Sequence, residues 1–287
     1  MIHILIQHYE FFRLIISHNT IVTNHIYYRT IMNKNNGGFP LQSMGTKSWF
    51  LHKDSTEGIV SSGNRKPNST AQRIIFSTMD TINHILIVLV TLYVVYHAAK
   101  EYSVTNVHVI LCTIGYILLM SEATLVLASD NMLTASLSRP VNKHLHWILQ
   151  TVGLILTLVG VGVMYNAKSV HFLSIHSITG ISSLVIICIV TLLGYPVWIA
   201  WKLRKFVRPT IIKFLHNFLA IIGFIIGMVS QCYGYKKTWI CHEMEIKHAD
   251  DMLLILTILI TILSLRGALN SLYRQATNYL KLICPFA

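Results

Sequence analysis

The sequence predicts an all-α membrane protein of six transmembrane helices, four of which form a core. Three observations predict it. Hydrophobic residues make up 53% of the 287 residues, charged residues only 12%, and the mean hydropathy is +0.56. A soluble globular domain carries roughly 25% charged residues, so this chain cannot clothe a surface that meets water all round. The apolar residues fall in blocks long enough for a hydrocarbon core of roughly 30 Å, which takes about 20 helical residues. Short basic runs separate the blocks, where the positive-inside rule expects them.

The six blocks are 82–99, 107–128, 146–165, 172–198, 211–231 and 252–269. Backbone groups in lipid must be satisfied internally, so each block is expected to be a helix. Connections are short, which makes sequence neighbours antiparallel neighbours in space. Residues 79–275 are the expected transmembrane domain, and 276–287 a short cytoplasmic tail. Residues 1–78 read as a poorly ordered extension. Its first part is apolar but broken by Glu10, Arg13 and several histidines, without the pattern of a signal peptide. The stretch from Met32 to Thr70 is rich in Asn, Gly, Ser and Lys. Met32, Met44 and Met79 are alternative starts for a shorter product.

The loops set the orientation. Arg65, Lys66 and Arg73 precede the first block, and Arg139 and Lys143 separate the second from the third. Lys202, Arg204, Lys205, Arg208 and Lys213 separate the fourth from the fifth, and Arg266, Arg274 and Lys281 lie at and after the end of the sixth. With six spans these regions share one side, so both termini are expected in the cytoplasm. The opposite side holds Lys100, Lys168, Lys236, Lys237 and Lys247. The sequon Asn68-Ser69-Thr70 then faces away from the glycosylation machinery. The net charge of +12 is this topological signal and not a nucleic-acid surface, because the basic residues are not interleaved with aromatics along a soluble domain. Endoplasmic reticulum, vesicle and plasma membranes are all compatible with it. The five cysteines include no CxxC pair, and Cys112, Cys188 and Cys232 read as small buried hydrophobes.

Histidines carry the functional signal, since imidazole in or near a bilayer needs a reason. For any one of them the competing reading is an interfacial ring bound to water. The arrangement argues otherwise. His108, His146, His176 and His216 each lie near the N-terminal end of their own block, the second to the fifth. Consecutive helices run in opposite directions, so His108 and His176 come from the non-cytoplasmic side, and His146 and His216 from the cytoplasmic side. Two pairs result, each at one depth and on alternate helices of a four-helix core, where bundles build cofactor sites. Opposed imidazoles suit a haem held at both axial positions, which moves electrons and excludes other ligands. A structural zinc wants about four ligands, and each pair supplies two. Glycines of these blocks, such as Gly115, Gly153, Gly180 and Gly194, either make room for haem or let helices pack closely.

Other histidines compete. His144 and His171 are alternatives to His146 and His176 if the register shifts. His84 and His97 flank the first block and read as interfacial, with that block outside the core. His242 and His248 read as solvated loop residues. Glu122 is the one acid seen inside a block.

At these residues the sequence resembles the cytochrome b561 family, in its shorter two-haem branch of transmembrane reductases. The resemblance covers roughly Thr81 to Arg274. Its most specific stretch is Ser136-Leu137-Ser138-Arg139 followed by His146-Trp147-Ile148-Leu149-Gln150. Supporting matches are Leu118-Leu119-Met120-Ser121-Glu122-Ala123, His176 with Gly180, and Lys213-Phe214-Leu215-His216. Val109 stands where the family usually has proline, and Asn217 where a small residue is usual. The resemblance implies six helices and two b-type haems, one held by His108 with His176 and the other by His146 with His216. It implies cytoplasmic ascorbate as donor and monodehydroascorbate or ferric iron as acceptor, that is, a transmembrane ascorbate-dependent oxidoreductase. Ascorbate is an anion, and Arg139, Lys143, Arg208 and Lys213 are the cations placed to bind it, although topology alone also puts them there. A homodimer is compatible with the sequence. The alternative function is a histidine-dependent metal or proton transporter without haem, and a non-catalytic scaffold ranks last.

Overall fold

The structure is a computed structural model that describes residues 70–128, 134, 137–198, 209–239 and 248–283. Six helices account for nearly all of them: α1 Thr70–Ala98, α2 Val104–Val126, α3 Arg139–Ala167, α4 Ile175–Trp198, α5 Pro209–Tyr235 and α6 Ala249–Ile283. All six are long and apolar enough to cross a membrane. Most of the expected N-terminal extension, residues 1–69, lies outside the described residues.

Helix starts follow local chemistry. Ser103 caps α2 by accepting the Asn106 N–H at 3.0 Å. Pro140 and Pro209 sit in first turns, where a missing N–H costs nothing. Ser174 and Ser177 cap α4 reciprocally, each hydroxyl accepting the other residue's backbone N–H at 3.2–3.3 Å.

Two boundaries differ from the sequence expectation. α1 begins at Thr70, so the expected division between residues 78 and 79 falls inside a helix. Polar residues in its first turns find partners without leaving the helix: Thr78 and Thr81 bond back to the Ile74 and Ser77 carbonyls, and Arg266 neutralises Asp80. At the other end α6 continues past 275 to Ile283, which places most of the expected tail in the helix.

α2 packs on α3, and α4 on α5. The two hairpins meet along shorter seams, α3 against α4 and α2 against α5. α6 lies against α5 and α2, and α1 closes on α2 and α6. α2 is not uniform: between two α-helical stretches, Thr113–Met120 is a π-helix. Such segments rotate the side chains that follow, and they are frequent at functional sites. Here the π stretch coincides with a close crossing of α2 and α3. A Cβ on Gly115 would lie 2.7 Å from the Gly153 carbonyl, and one on Gly153 the same distance from the Gly115 carbonyl. The centre of the bundle is tied by Tyr116, whose hydroxyl is 2.7 Å from Ser183 Oγ and 2.8 Å from the Gly223 carbonyl. Its ring stacks on Phe224 at 6.0 Å. The outer faces expose large apolar side chains such as Leu89, Ile155, Leu192 and Ile255, as lipid contact requires. Lys236, at the end of α5, pairs with Asp250 at 2.9 Å and with Asp251, tying the end of α5 to the first turn of α6.

Candidate functional site

The four expected histidines sit in two sets at opposite ends of the bundle. His108 on α2 and His176 on α4 meet ring to ring, their centres 6.1 Å apart and their planes at 86°. His146 on α3 and His216 on α5 occupy the other end, within electrostatic reach of each other.

Each ring is aimed by a neighbouring helix. His108 Nδ1 is 2.9 Å from the Gly160 carbonyl, His146 Nδ1 2.8 Å from that of Ala123, and His176 Nδ1 2.8 Å from that of Ser230. A carbonyl only accepts, so in all three rings Nδ1 carries the proton and Nε2 keeps its lone pair for a metal. His216 faces the Val190 carbonyl in the same sense, but its buried Nδ1 has no hydrogen bond of ordinary geometry among the described residues. The acceptors are reciprocal: α2 and α3 orient each other's histidine, and so do α4 and α5. Cys112 Sγ at 3.6 Å from His108 Nδ1, and Ser230 Oγ at 3.3 Å from His176 Nδ1, complete the surroundings. These backbone acceptors carry no side-chain signature, which is why sequence reading missed them.

The arrangement fits haem. An imidazole nitrogen bonds a metal at about 2 Å, and two such bonds plus the half-width of each ring come to about 6 Å. The 6.1 Å between His108 and His176 matches that span. Among the described residues no three His, Cys, Asp or Glu side chains gather as a metal site, which fits a two-ligand site better than a zinc tetrahedron. The glycines divide by role. Gly115, Gly153, Gly223 and Gly227 are filled by side chains or backbone of the facing helix. Gly194 and Gly234 leave room beside the His216 and His176 rings, where an added Cβ would lie 3.8 and 3.3 Å from Cε1.

The expected anion-binding cations flank His146 and His216. Arg139 and Lys143 are exposed on the first turns of α3, ahead of His146, and Lys213 is exposed one turn ahead of His216. Arg208 lies outside the described residues, as does His242. His144 is exposed and turned away from the core, and His171 stacks on Tyr165 at 3.9 Å. His248 is exposed at the start of α6, 3.6 Å from Asp251.

His84 and His97 correct the expectation of interfacial rings, for both are buried, at 9% and 7% exposure. His84 Nδ1 is 2.6 Å from Glu122 Oε2, and His97 packs on Tyr93 and Tyr96. The cause is α1, which lies against α2 and α6 and covers Glu122 instead of standing apart.

Comparison with known proteins agrees with this architecture. The family model for eukaryotic cytochrome b561 matches residues 107–241, which contain all four histidines. The transmembrane reductase CYB561D2 of Mus musculus is 26% identical over 165 residues, covering 54% of this chain and 72% of its own. The Homo sapiens and Bos taurus proteins of that name are 27% identical over the same length. With six apolar helices around this histidine arrangement, the chain is similar over residues 107–241 to the cytochrome b561 family, whose members are integral membrane proteins that bind haem b.

Proposed function

We propose that the chain carries electrons across the bilayer through two b-type haems, from ascorbate in the cytoplasm to monodehydroascorbate or ferric iron on the opposite side. Both termini are then cytoplasmic. His108 with His176 holds the outer haem, and His146 with His216 the cytoplasmic one. The observation that carries the reading is the 6.1 Å meeting of His108 and His176, with both Nδ1 atoms tied to helix carbonyls.

Haem held by these histidine pairs would supply one-electron chemistry. The protein's part is positioning. The Nδ1–H bonds to Gly160, Ser230 and Ala123 fix the tautomers and leave each Nε2 lone pair available to an iron. Burial of Tyr116, Phe224 and Met228 between the two sites keeps water from the middle of the path. Arg139, Lys143 and Lys213, together with Arg208, draw the ascorbate anion to the cytoplasmic end. The reductase names of the mammalian relatives support the same direction of chemistry.

The test is a reduced-minus-oxidised spectrum of purified protein after ascorbate addition, with wild type and the four His→Ala variants compared. Two haem signals reduced by ascorbate are expected, with each variant losing one. A colourless protein that moves metal ions at full rate would replace this reading with transport.

A further inference from the structure

A second polar region lies outside the four-helix core, where α1, α2 and α6 meet. α1 contributes Ser77, Asp80, Asn83 and His84 from one face. Asp80 is 2% exposed and Asn83 fully buried. From α6, Arg266 donates to Asp80 Oδ1 at 2.6 Å, and Ser264 Oγ accepts from Asn83 Nδ2 at 2.9 Å. From α2, Glu122 meets His84 at 2.6 Å.

The seam is not satisfied by its own groups. Ser77 Oγ, Asp80 Oδ2, Asn83 Oδ1, Ser121 Oγ and Arg266 Nε are buried without a hydrogen-bond partner among the described residues. Buried polar atoms nearly always bond to protein or ordered water. Five orphans on three helices, donors and acceptors mixed, are the kind of buried groups that ordered water satisfies. The seam starts near the N-terminal end of α1 and ends beside the core. Glu122 immediately precedes Ala123, whose carbonyl accepts His146 Nδ1–H at 2.8 Å.

We propose that this seam is a proton inlet, and that the His84–Glu122 pair binds one proton from cytoplasmic water for each electron delivered to the haem site of His146 and His216. The inference rests on the haem reading above. The electron comes from the donor oxidised at that face. The proton enters past Asp80 and Arg266, adds to a neutral imidazole facing a carboxylate, and leaves by the same route when the electron moves on. An N–H bond is made and later broken, and charge balances at both steps. The physical reason is the cost of adding a negative charge in a low-dielectric interior, which a positive charge gained nearby offsets. His84 faces the Glu122 carboxylate on α2, and Asp80, one turn earlier on the same helix, is paired with Arg266 of α6. Asp80 and Arg266 neutralise one another, which leaves the His84–Glu122 pair to change charge.

Redox titration of the haem-loaded protein between pH 6 and pH 8, following the visible bands, tests the inlet. In wild type the reduction constant of the cytoplasmic haem should fall with rising pH, by up to tenfold per unit, or about 59 mV for one electron. Glu122→Gln and His84→Gln should flatten that slope while both haem bands remain. Unchanged slopes in these variants overturn the proposal. If neither variant holds haem, proton uptake by wild type on reduction, read with a pH indicator dye, decides, and zero uptake per electron overturns it. Retention of both haems by His146→Ala would sink the ligand reading instead. The wild-type slope and uptake are measured without reference to which histidines bind.

Discussion

His146 on α3 donates Nδ1–H to the carbonyl of Ala123 on α2 at 2.8 Å, and His108 on α2 reaches back to Gly160 on α3 at 2.9 Å. The two bonds run in opposite directions across one hairpin, near its two ends. Each ring is thereby oriented by the helix that carries the other. α4 and α5 repeat the pattern with His176 on Ser230 and His216 opposite Val190. Two self-orienting hairpins then present their histidines across the gap between them. A cofactor bridging that gap would staple the hairpins together.

The first prediction follows from this pairing. On the proposed ligand pairs, His108→Ala and His176→Ala should remove the same haem, and His146→Ala and His216→Ala the other. Haem content per chain, measured as the pyridine haemochrome, should fall from two to one in each single variant. The double variant His108→Ala with His176→Ala should fall no further, whereas His108→Ala with His146→Ala should fall to zero. A ratio of one in the latter would break the pairing.

Helix packing gives the second. A Cβ on Gly115 would lie 2.7 Å from a backbone carbonyl that has no rotamer to change, whereas Gly162 has nothing within 4 Å. Overpacking of this kind costs about 1–3 kcal/mol. Gly115→Ala should therefore lower the midpoint of thermal unfolding in detergent by several degrees, while Gly162→Ala, in open space within a helix, leaves it level or raises it slightly. Equal midpoints for the two variants would show that the α2–α3 crossing yields more readily than its geometry implies.

Six spans and four core histidines were legible because both are written in side chains. Apolar blocks mark the helices, and the parity of His108, His146, His176 and His216 survives any error of a few residues in the boundaries. What the sequence hid lies in backbone and in tertiary context. The Ala123, Gly160 and Ser230 carbonyls belong to residues of no special character. The π stretch Thr113–Met120 has the same apolar composition as an α-helix, and it lies where α3 approaches closely at Gly153. His84 read as interfacial because it flanks the first apolar block, and only the position of α1 against α2 shows that Glu122 receives it.

The third prediction concerns the donor. Lys143 and Lys213 are exposed, so neither supports the fold through a buried contact. An exposed charge pair contributes about 0.2–1 kcal/mol, which corresponds to at most about a fivefold change in binding. Lys143→Ala and Lys213→Ala should each raise the KM for ascorbate by up to about fivefold. The haem spectrum should not change, and the effect should shrink as salt is added. A fall in kcat with KM constant would move these lysines out of the donor site.

The fourth concerns the middle of the bundle. Tyr116 is the one described side chain of α2 whose hydroxyl touches both α4 and α5, through Ser183 at 2.7 Å and the Gly223 carbonyl at 2.8 Å. Ser183 bonds the same carbonyl at 2.8 Å, so it stays satisfied when the tyrosine hydroxyl is removed. Tyr116→Phe keeps the ring and its stack on Phe224, and should cost only about 0.5–2 kcal/mol. Tyr116→Ala removes the ring that fills the space over Gly227, where an added Cβ would lie 2.0 Å from the hydroxyl, and should cost about 3–5 kcal/mol. If positioning of the two hairpins is the role of Tyr116, the phenylalanine variant will retain both haems and the rate of transfer between them, measured by flash reduction. The alanine variant will lose haem in proportion to its lost stability. A phenylalanine variant with full haem content but slowed transfer would instead give the hydroxyl a part in the electron path.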